Sequence, residues 1–367
     1  MILSYEGKKT EKEILGRILP VRFSADWDDR ANKLIEGENA GVLKNLLDLQ
    51  GLRSKVDLVY IDPPFATGQK FTIGRERANS ISRSSDHKTA FRDRLTGAGY
   101  LEFLRERLVL IRELMADSAS IYLHIDYKIG HYVKIIMDEI FGAANFRNDI
   151  TRVKCNPKNF RRKGYGNVKD LILFYSKGRD PVWNEPREEF SEEDIERLFR
   201  KTDEDGRRYT TIPLHAPGET KNGATGGKWR GMSPPKGRHW RSAPDVLEQL
   251  DRDGLVEWSK TGVPRRKIYA DERKGKKKQD IWEFKDAQYP SYPTEKNIDL
   301  LRTLIAASSN PGDLVLDCFC GSGTTLQAAA ESKRRWIGVD RSPEAIKTAR
   351  KRLAGMAEFQ YLERPVL

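Results

Sequence analysis

Apolar residues along this chain follow two rhythms. Val56-Asp-Leu-Val-Tyr-Ile-Asp62 is a short apolar run closed by Pro63, the pattern of a parallel strand buried on both faces. Ser120-Ile-Tyr-Leu-His-Ile125 and Leu171-Ile-Leu-Phe-Tyr175 predict two more strands. Between the first two, Leu101, Leu104, Leu108, Ile111 and Met115 recur at helical spacing and predict a helix over residues 100–116. Near the C-terminus, Asp313-Leu-Val-Leu-Asp317 runs into Gly321-Ser-Gly323 and a helical stretch through residue 332. Arg335-Trp-Ile-Gly-Val-Asp340 is another strand, and Ser342-Pro-Glu caps a helix striped by Ala345, Ile346, Ala349 and Leu353. Strands alternating with helices predict an α/β fold built on a mostly parallel sheet. No internal repeat is visible.

Composition sharpens this picture in one place. The 367 residues are 38% hydrophobic and 33% charged, with net charge +12. No run approaches the roughly 18 apolar residues of a membrane span. The N-terminus lacks the apolar core of a signal peptide, so a cytoplasmic location is expected. Cys155, Cys318 and Cys320 are too few for a disulfide framework or a four-thiolate zinc site. The charge is uneven: residues 151–285 hold 32 Lys and Arg against 22 Asp and Glu, an excess of ten. Trp183, Trp229, Trp240, Trp258 and Trp282 fall in the same stretch. Basic residues interleaved with aromatics suit a nucleic acid. The alternative is an irregular domain whose tryptophans are its core and whose lysine run is solvated.

Two segments carry candidate chemistry. Asp317-Cys-Phe-Cys-Gly321-Ser-Gly323-Thr324-Thr follows a strand and opens a helix, so a ligand can approach backbone N–H groups at a tight turn. Asp340 ends the next strand 17 residues beyond Gly323, about where an acidic residue grips ribose hydroxyls. The third glycine of a dinucleotide fingerprint and the Gly-Lys-Ser/Thr of a P-loop are both missing, which argues against NAD and ATP. A tight turn without a ligand is the alternative. Asp62-Pro63-Pro64-Phe65 sits at the carboxyl end of a buried strand. Two prolines stiffen the backbone and remove two donors. Asp62 and the Pro63 carbonyl can each accept one N–H of an exocyclic amine while Phe65 stacks on its ring. Taken alone, the segment also reads as a loop with a helix-capping Asp.

Asp62-Pro-Pro-Phe65 together with Phe319-Cys-Gly-Ser-Gly323 resembles the paired signature of S-adenosylmethionine-dependent exocyclic-amino DNA methyltransferases, which act on adenine N6 or cytosine N4. The order, catalytic motif first, resembles their beta class and its type III Mod-like subgroup. The likeness continues through Ile121-Tyr-Leu-His-Ile-Asp126, Phe146-Arg-Asn-Asp-Ile150, Leu171-Ile-Leu-Phe-Tyr-Ser-Lys177 and Tyr292-Pro-Thr-Glu-Lys296, roughly two thirds of the chain. Phe65 replaces the commoner Tyr, and Asn297 stands where relatives usually carry Pro.

The resemblance implies a Rossmann-like methyltransferase sheet, permuted so that the C-terminal part supplies the first strands. The catalytic half is expected at 1–178, a basic target-recognition insertion at 179–285 and the cofactor half at 286–367. The strand after Asp340 must then come from Asn32-Lys-Leu-Ile-Glu-Gly-Glu38-Asn39, so the two chain ends should lie side by side. S-adenosylmethionine is the implied cofactor. Asp317, Gly321, Gly323 and Thr324 hold its methionine part, with Phe319 as pocket wall; Asp340 takes the ribose, and Glu38 or Asn39 the adenine. Thr294 and Lys296 belong beside its carboxylate, and Asp62 borders it from the catalytic side. Arg238, Trp240, Arg241, Lys276, Lys277 and Lys278 are candidate DNA contacts.

The implied reaction is direct methyl transfer to a flipped base in double-stranded DNA. No Pro-Cys dipeptide, the nucleophile signature of cytosine-C5 enzymes, occurs in the chain. Adenine is favoured over cytosine because cytosine-N4 relatives more often carry Ser at the position of Asp62. A non-catalytic DNA-binding protein and methylation of RNA or protein glutamine are the competing readings. His124, His131, His215 and His239 show no metal-ligand spacing, so no metal is expected. Asp126 is a further candidate for the cleft. Family analogy adds a homodimer, association with the nucleoid of a prokaryotic or phage-host cell, and a separate chain for any restriction nuclease.

Overall fold

The computed structural model describes residues 2–64, 97–156, 163–220, 222–286 and 295–363, with the backbone of short strands at 70–73, 78–79 and 88–92. Phe65 and Thr294 lie outside the described residues. Contacts divide the chain into two compact units, Met1–Pro186 with Gln279–Leu367, and Arg187–Lys278.

Among the described residues, nine strands of the first unit form one sheet. In chain order they are β1 (Asn32–Glu36), β2 (Val56–Ile61), β3 (Met115–Ile125), β4 (Phe146–Val153), β5 (Lys169–Ser176), β6 (Ile281–Trp282), β7 (Leu314–Asp317), β8 (Arg335–Asp340) and β9 (Phe359–Glu363). Across the sheet they run β6-β4-β5-β3-β2-β7-β8-β1-β9. β5 is antiparallel to both neighbours, and the other pairs are parallel. The chain's two ends share the sheet: β1 lies between β8 and β9, and β7 pairs with β2.

The helices sort onto two faces because strand side chains alternate. Leu58 and Tyr60 of β2 point to one core and Val59 and Ile61 to the other. The Val59 face is covered by α1 (Glu11–Arg17), α2 (Asn39–Asp48), α3 (Gly97–Leu114) and α4 (Gly130–Phe141). The opposite face is covered by α5 (Ile298–Ser308), α6 (Thr324–Glu331) and α7 (Pro343–Leu353). Leu104, Leu108 and Ile111 of α3 are fully buried, as their spacing predicts. Met115 is not the end of that helix; it begins β3 and pairs with Val56. Asn297, which replaces a proline common in relatives, caps α5, its Oδ1 accepting from the Asp299 N–H at 2.9 Å. Ser342 caps α7 with Pro343 in the first turn.

The second unit has a four-stranded antiparallel sheet of Lys201–Thr202, Arg208–Pro213, Pro264–Tyr269 and Val256–Trp258. Its small core is Leu214, Trp229, Trp240, Leu247 and Val256. By sequence it holds 22 Lys and Arg against 17 Asp and Glu, an excess of five; residues 151–186 carry a further six. The basic excess of the chain's centre is therefore shared between the units.

One contact fixes how closely α6 lies on the sheet. Gly338 of β8 faces Leu326 of α6, and a Cβ at 338 would come within 2.3 Å of Leu326 Cδ1 and 3.1 Å of its Cγ. Leu326 is fully buried and has no room to turn away. Gly338→Ala is expected to lower unfolding stability by about 1–3 kcal/mol through overpacking, read by denaturant titration. Wild-type stability would show that the helix moves freely.

Candidate active site

Parallel sheets place ligands at the carboxyl ends of their strands, where order reverses. Here β7 and β2 are adjacent, with Val315 opposite Leu58 and Leu316 opposite Val59. β7 ends in Asp317 and β8 in Asp340, while Asp62 directly follows β2. Three carboxylates thus meet at one edge.

The turn after β7 is fixed from several sides. Gly321 and Gly323 adopt φ of 50° and 78°, the left-handed region that favours glycine. At 323, a Cβ would also approach Ala349 Cβ to 3.0 Å. Asp340 Oδ2 accepts from the Gly321 N–H at 2.9 Å and Oδ1 from the Ser342 N–H at 2.9 Å. Asp317 Oδ1 accepts from the Phe319 N–H at 3.0 Å. Burial pushes Asp317 up to about 7; Asp62 and Asp340 push the same way, while the Thr325 hydroxyl and Phe319 N–H oppose. Burial raises Asp340 as well, against the Ser342 and Gly321 N–H groups. Cys318 and Cys320 are buried in the turn, and burial pushes both thiols well above their usual range.

Asp62 is held differently. Its Oδ2 pairs with Lys296 Nζ at 2.7 Å. Its Oδ1 is buried and has no hydrogen-bond partner among the described residues. Pro63 is buried and Pro64 partly so. Lys296, which the resemblance places beside the cofactor carboxylate, sits on Asp62. Its neighbour Glu295 pairs with Arg352 of α7, and Arg352 Nη1 donates to the Thr324 hydroxyl at 2.6 Å.

Beneath Asp62 lies a buried polar chain. The Tyr60 hydroxyl is 3.1 Å from His124 Nδ1, and His124 Nε2 is 3.3 Å from Asp170 Oδ2. Lys154 Nζ donates to Asp170 Oδ1 at 2.6 Å. Burial pushes His124 down, aided by the Lys296 charge and opposed by Asp170 and Asp62. Burial would raise Asp170, but His124 and Lys154 outweigh it and hold the carboxyl well below the usual range. Asp126 is buried, and its Oδ1 accepts from the Lys128 N–H at 2.9 Å.

On the other flank stands Arg107 of α3, which no sequence pattern singled out. Its Nε donates to Asn39 Oδ1 at 2.6 Å, its Nη2 contacts Glu38, and its guanidinium lies 3.5 Å from the Phe103 ring centroid. Phe103 meets Phe319 edge-on at 6.1 Å. Asn39 Nδ2 donates to the Cys318 carbonyl at 2.9 Å, tying α2 to the glycine turn. Asn39 is thus a brace, while the half-exposed Glu38 caps α2, its Oε2 accepting from the Gly41 N–H at 3.1 Å. The only early clue to Arg107 was a basic residue within an apolar helical stripe.

The candidate DNA contacts all belong to the second unit. Arg238 and Arg241 are exposed, and with Arg265 their charges push nearby His215 down, after burial. Trp240 is a core residue: its ring packs edge-on against Trp229 at 5.9 Å and its Nε1 donates to the Gly227 carbonyl at 2.9 Å. An indole offers more apolar area than this small core can spare for a surface role. Lys276 and Lys277 are exposed; Lys276 pairs with Asp194 at 2.7 Å and Lys278 with Glu188.

Residues 56–351 match the family described as DNA methylase. The chain is 43% identical over 365 residues to the type II methyltransferase M.EcaI of Enterobacter cloacae, covering 96% of this chain and 77% of that protein. It is 27% identical over 333 residues to the type III restriction-modification enzyme StyLTI Mod subunit of Salmonella typhimurium, covering 81% and 49% respectively. A crystal structure of the M1.HpyAVI-SAM complex aligns with 88% of this chain and all of its own, with a TM-score of 0.47 and 18% identity.

The Asp317 carboxyl makes a testable demand. Its native pKa of about 7 lies above the roughly 3.9 of an unfolded Asp. The native state therefore binds the proton more tightly, so this residue costs stability increasingly as pH rises from about 4 to 7. In ligand-free protein Asp317→Asn is expected to exceed wild type by up to roughly 4 kcal/mol at pH 8, the gap closing towards pH 4. A pH-independent gap in denaturant unfolding would contradict the assignment.

Proposed function

The chain belongs to the N6/N4 DNA methylase family, and we propose that it methylates the N6 amino group of a flipped adenine in duplex DNA. The observation that carries this reading is the Asp62 carboxylate, presented with one buried, unpartnered oxygen beside the glycine turn. S-adenosylmethionine, the methyl donor, supplies an electrophilic methyl group on a sulfonium.

The residues present fit that donor. The Gly321–Gly323 turn offers close backbone approach at the start of α6, and Asp317 and Asp340 end adjacent strands. Asp340 is oriented by two backbone N–H groups toward the ribose role, and Phe319, braced by Phe103, walls the pocket. Glu38 is the residue assigned to the adenine ring. On the acceptor side Asp62 Oδ1 takes one amino hydrogen and the Pro63 carbonyl the other, with Phe65 assigned to stack on the base. Both acceptors draw the nitrogen lone pair out of conjugation. The nitrogen bonds to the methyl carbon as the carbon–sulfur bond breaks, and the nitrogen releases a proton toward Asp62. Positioning and electrostatics carry such a step. Extruding the base costs a few kcal/mol, offset by contacts to the open strand.

Adenine is chosen because Asp62 stands where the cytosine-N4 relatives more often carry Ser. Arg238, Arg241 and Lys277 are the exposed cations we assign to the DNA backbone. By family analogy the protein acts as a homodimer in the nucleoid, with any restriction nuclease on a separate chain. Among the described residues, no helix is long and apolar enough to cross a membrane.

Two experiments test this. DNA methylated by the protein and digested to nucleosides should contain N6-methyldeoxyadenosine and no N4-methyldeoxycytidine; the reverse overturns the choice of base. Asp62→Ala should abolish transfer while retaining DNA binding, and near-normal turnover would sink the catalytic assignment. Separately, Arg238→Ala and Arg241→Ala should each weaken DNA binding across sequences and reduce the salt slope by about 1. Unchanged slopes would remove both from the interface.

A further inference from the structure

The Asp62–Lys296 pair is short, and both side chains are largely buried, at 15% and 9% exposure. It joins residues far apart in sequence, so it exists only once the two halves of the site have assembled. Among the described residues one carboxylate oxygen is occupied and the other, though buried, is not. Leaving a buried acceptor oxygen unmet costs roughly 1–3 kcal/mol. A fold that bears that cost while satisfying the neighbouring oxygen separates the two oxygens' tasks.

Lys296 is itself held in place. Asn297 caps α5 on one side, and Glu295 is tied to Arg352 on the other. Arg352 also bonds Thr324, the first residue of α6, so this short segment is linked through Arg352 to the helix that follows the glycine turn.

We propose that Lys296 is a positioning residue for methyl transfer: by holding Oδ2 it fixes the Asp62 carboxylate so that Oδ1 accepts from the target amine. This rests on the catalytic reading of Asp62 above. It departs from the role that sequence resemblance gives this lysine, beside the carboxylate of the methyl donor. The two roles separate kinetically. A clamp on the donor acts on its binding, whereas a residue that orients Asp62 acts on the chemical step. Misplacing a reacting group by about 1 Å can cost about 100-fold in rate.

The test uses the full chain with Lys296→Met and Lys296→Arg, both checked for a wild-type thermal melt. S-adenosylmethionine affinity is measured by calorimetry, and turnover at saturating donor and DNA. Lys296→Met should lower kcat about 10- to 100-fold with donor Kd within about twofold of wild type. Lys296→Arg keeps a cation able to donate to Oδ2 and should recover most of that loss. A tenfold or larger rise in donor Kd with unchanged kcat would overturn the proposal in favour of a donor clamp, and unchanged values of both would overturn it outright. Should Lys296→Met fail to fold, Lys296→Gln replaces it with the same expectations. Asp62→Ala serves as control. If it retains activity, the underlying reading fails; if it is dead while Lys296→Met turns over normally, only the present inference fails.

Discussion

The active site depends on a short stretch of backbone pairing. Val315 and Leu316 of β7 lie against Leu58 and Val59 of β2, more than 250 residues apart in sequence. That ladder brings Asp317 and Asp62 to the same sheet edge. A side-chain bond from the Leu314 N–H to Asp57 Oδ2, at 2.8 Å, secures its start. Slipping the register by one residue would turn the side chains of a strand to the opposite face. Asp62 would then lose its place beside the glycine turn, so the cores packed on both faces of β2 also protect the geometry of the chemistry.

Bringing three acidic residues to one edge creates an electrostatic problem, and the fold meets it differently at each. Asp340 is neutralised by backbone N–H dipoles, a solution that leaves the turn rigid. Asp317, fully enclosed, is driven toward its protonated form near pH 7. Asp62 has a lysine counter-charge, the arrangement that leaves one oxygen available. Behind it, His124 is pushed toward neutrality, and Asp170 remains strongly acidic among His124 and Lys154.

Much of the fold was legible because its signals are local. The strand at Val56–Ile61, the glycine turn, Asp340 at the end of its strand and the Ser342 cap each follow from a few adjacent residues. Contacts set by distant parts of the chain were not legible. Gly338 reads as an ordinary small residue until Leu326 arrives above it. Arg107 gains meaning from Glu38, Asn39 and Phe103, of which only Phe103 shares its helix. Lys296 lay in a recognisable motif, yet its partner could not be read from spacing. Trp240 shows the same limit in reverse: an aromatic among basic residues suggested a contact surface, but a small domain needs its large rings inside.

The opening charge asymmetry also changes meaning. Half of the central excess belongs to the compact unit Arg187–Lys278 and slightly more than half to residues 151–186, the remainder of the block being acidic. The basic excess is therefore not confined to one unit of the chain. The central claim is that donor and target amine meet at the carboxyl ends of β7 and β2. A crystal structure of the chain with S-adenosylmethionine tests it most directly. The account predicts the donor's ribose on Asp340 and its methyl group facing Asp62, within reach of an amine bound to Oδ1. A donor bound at another edge of the sheet, or a methyl group directed away from Asp62, would contradict it.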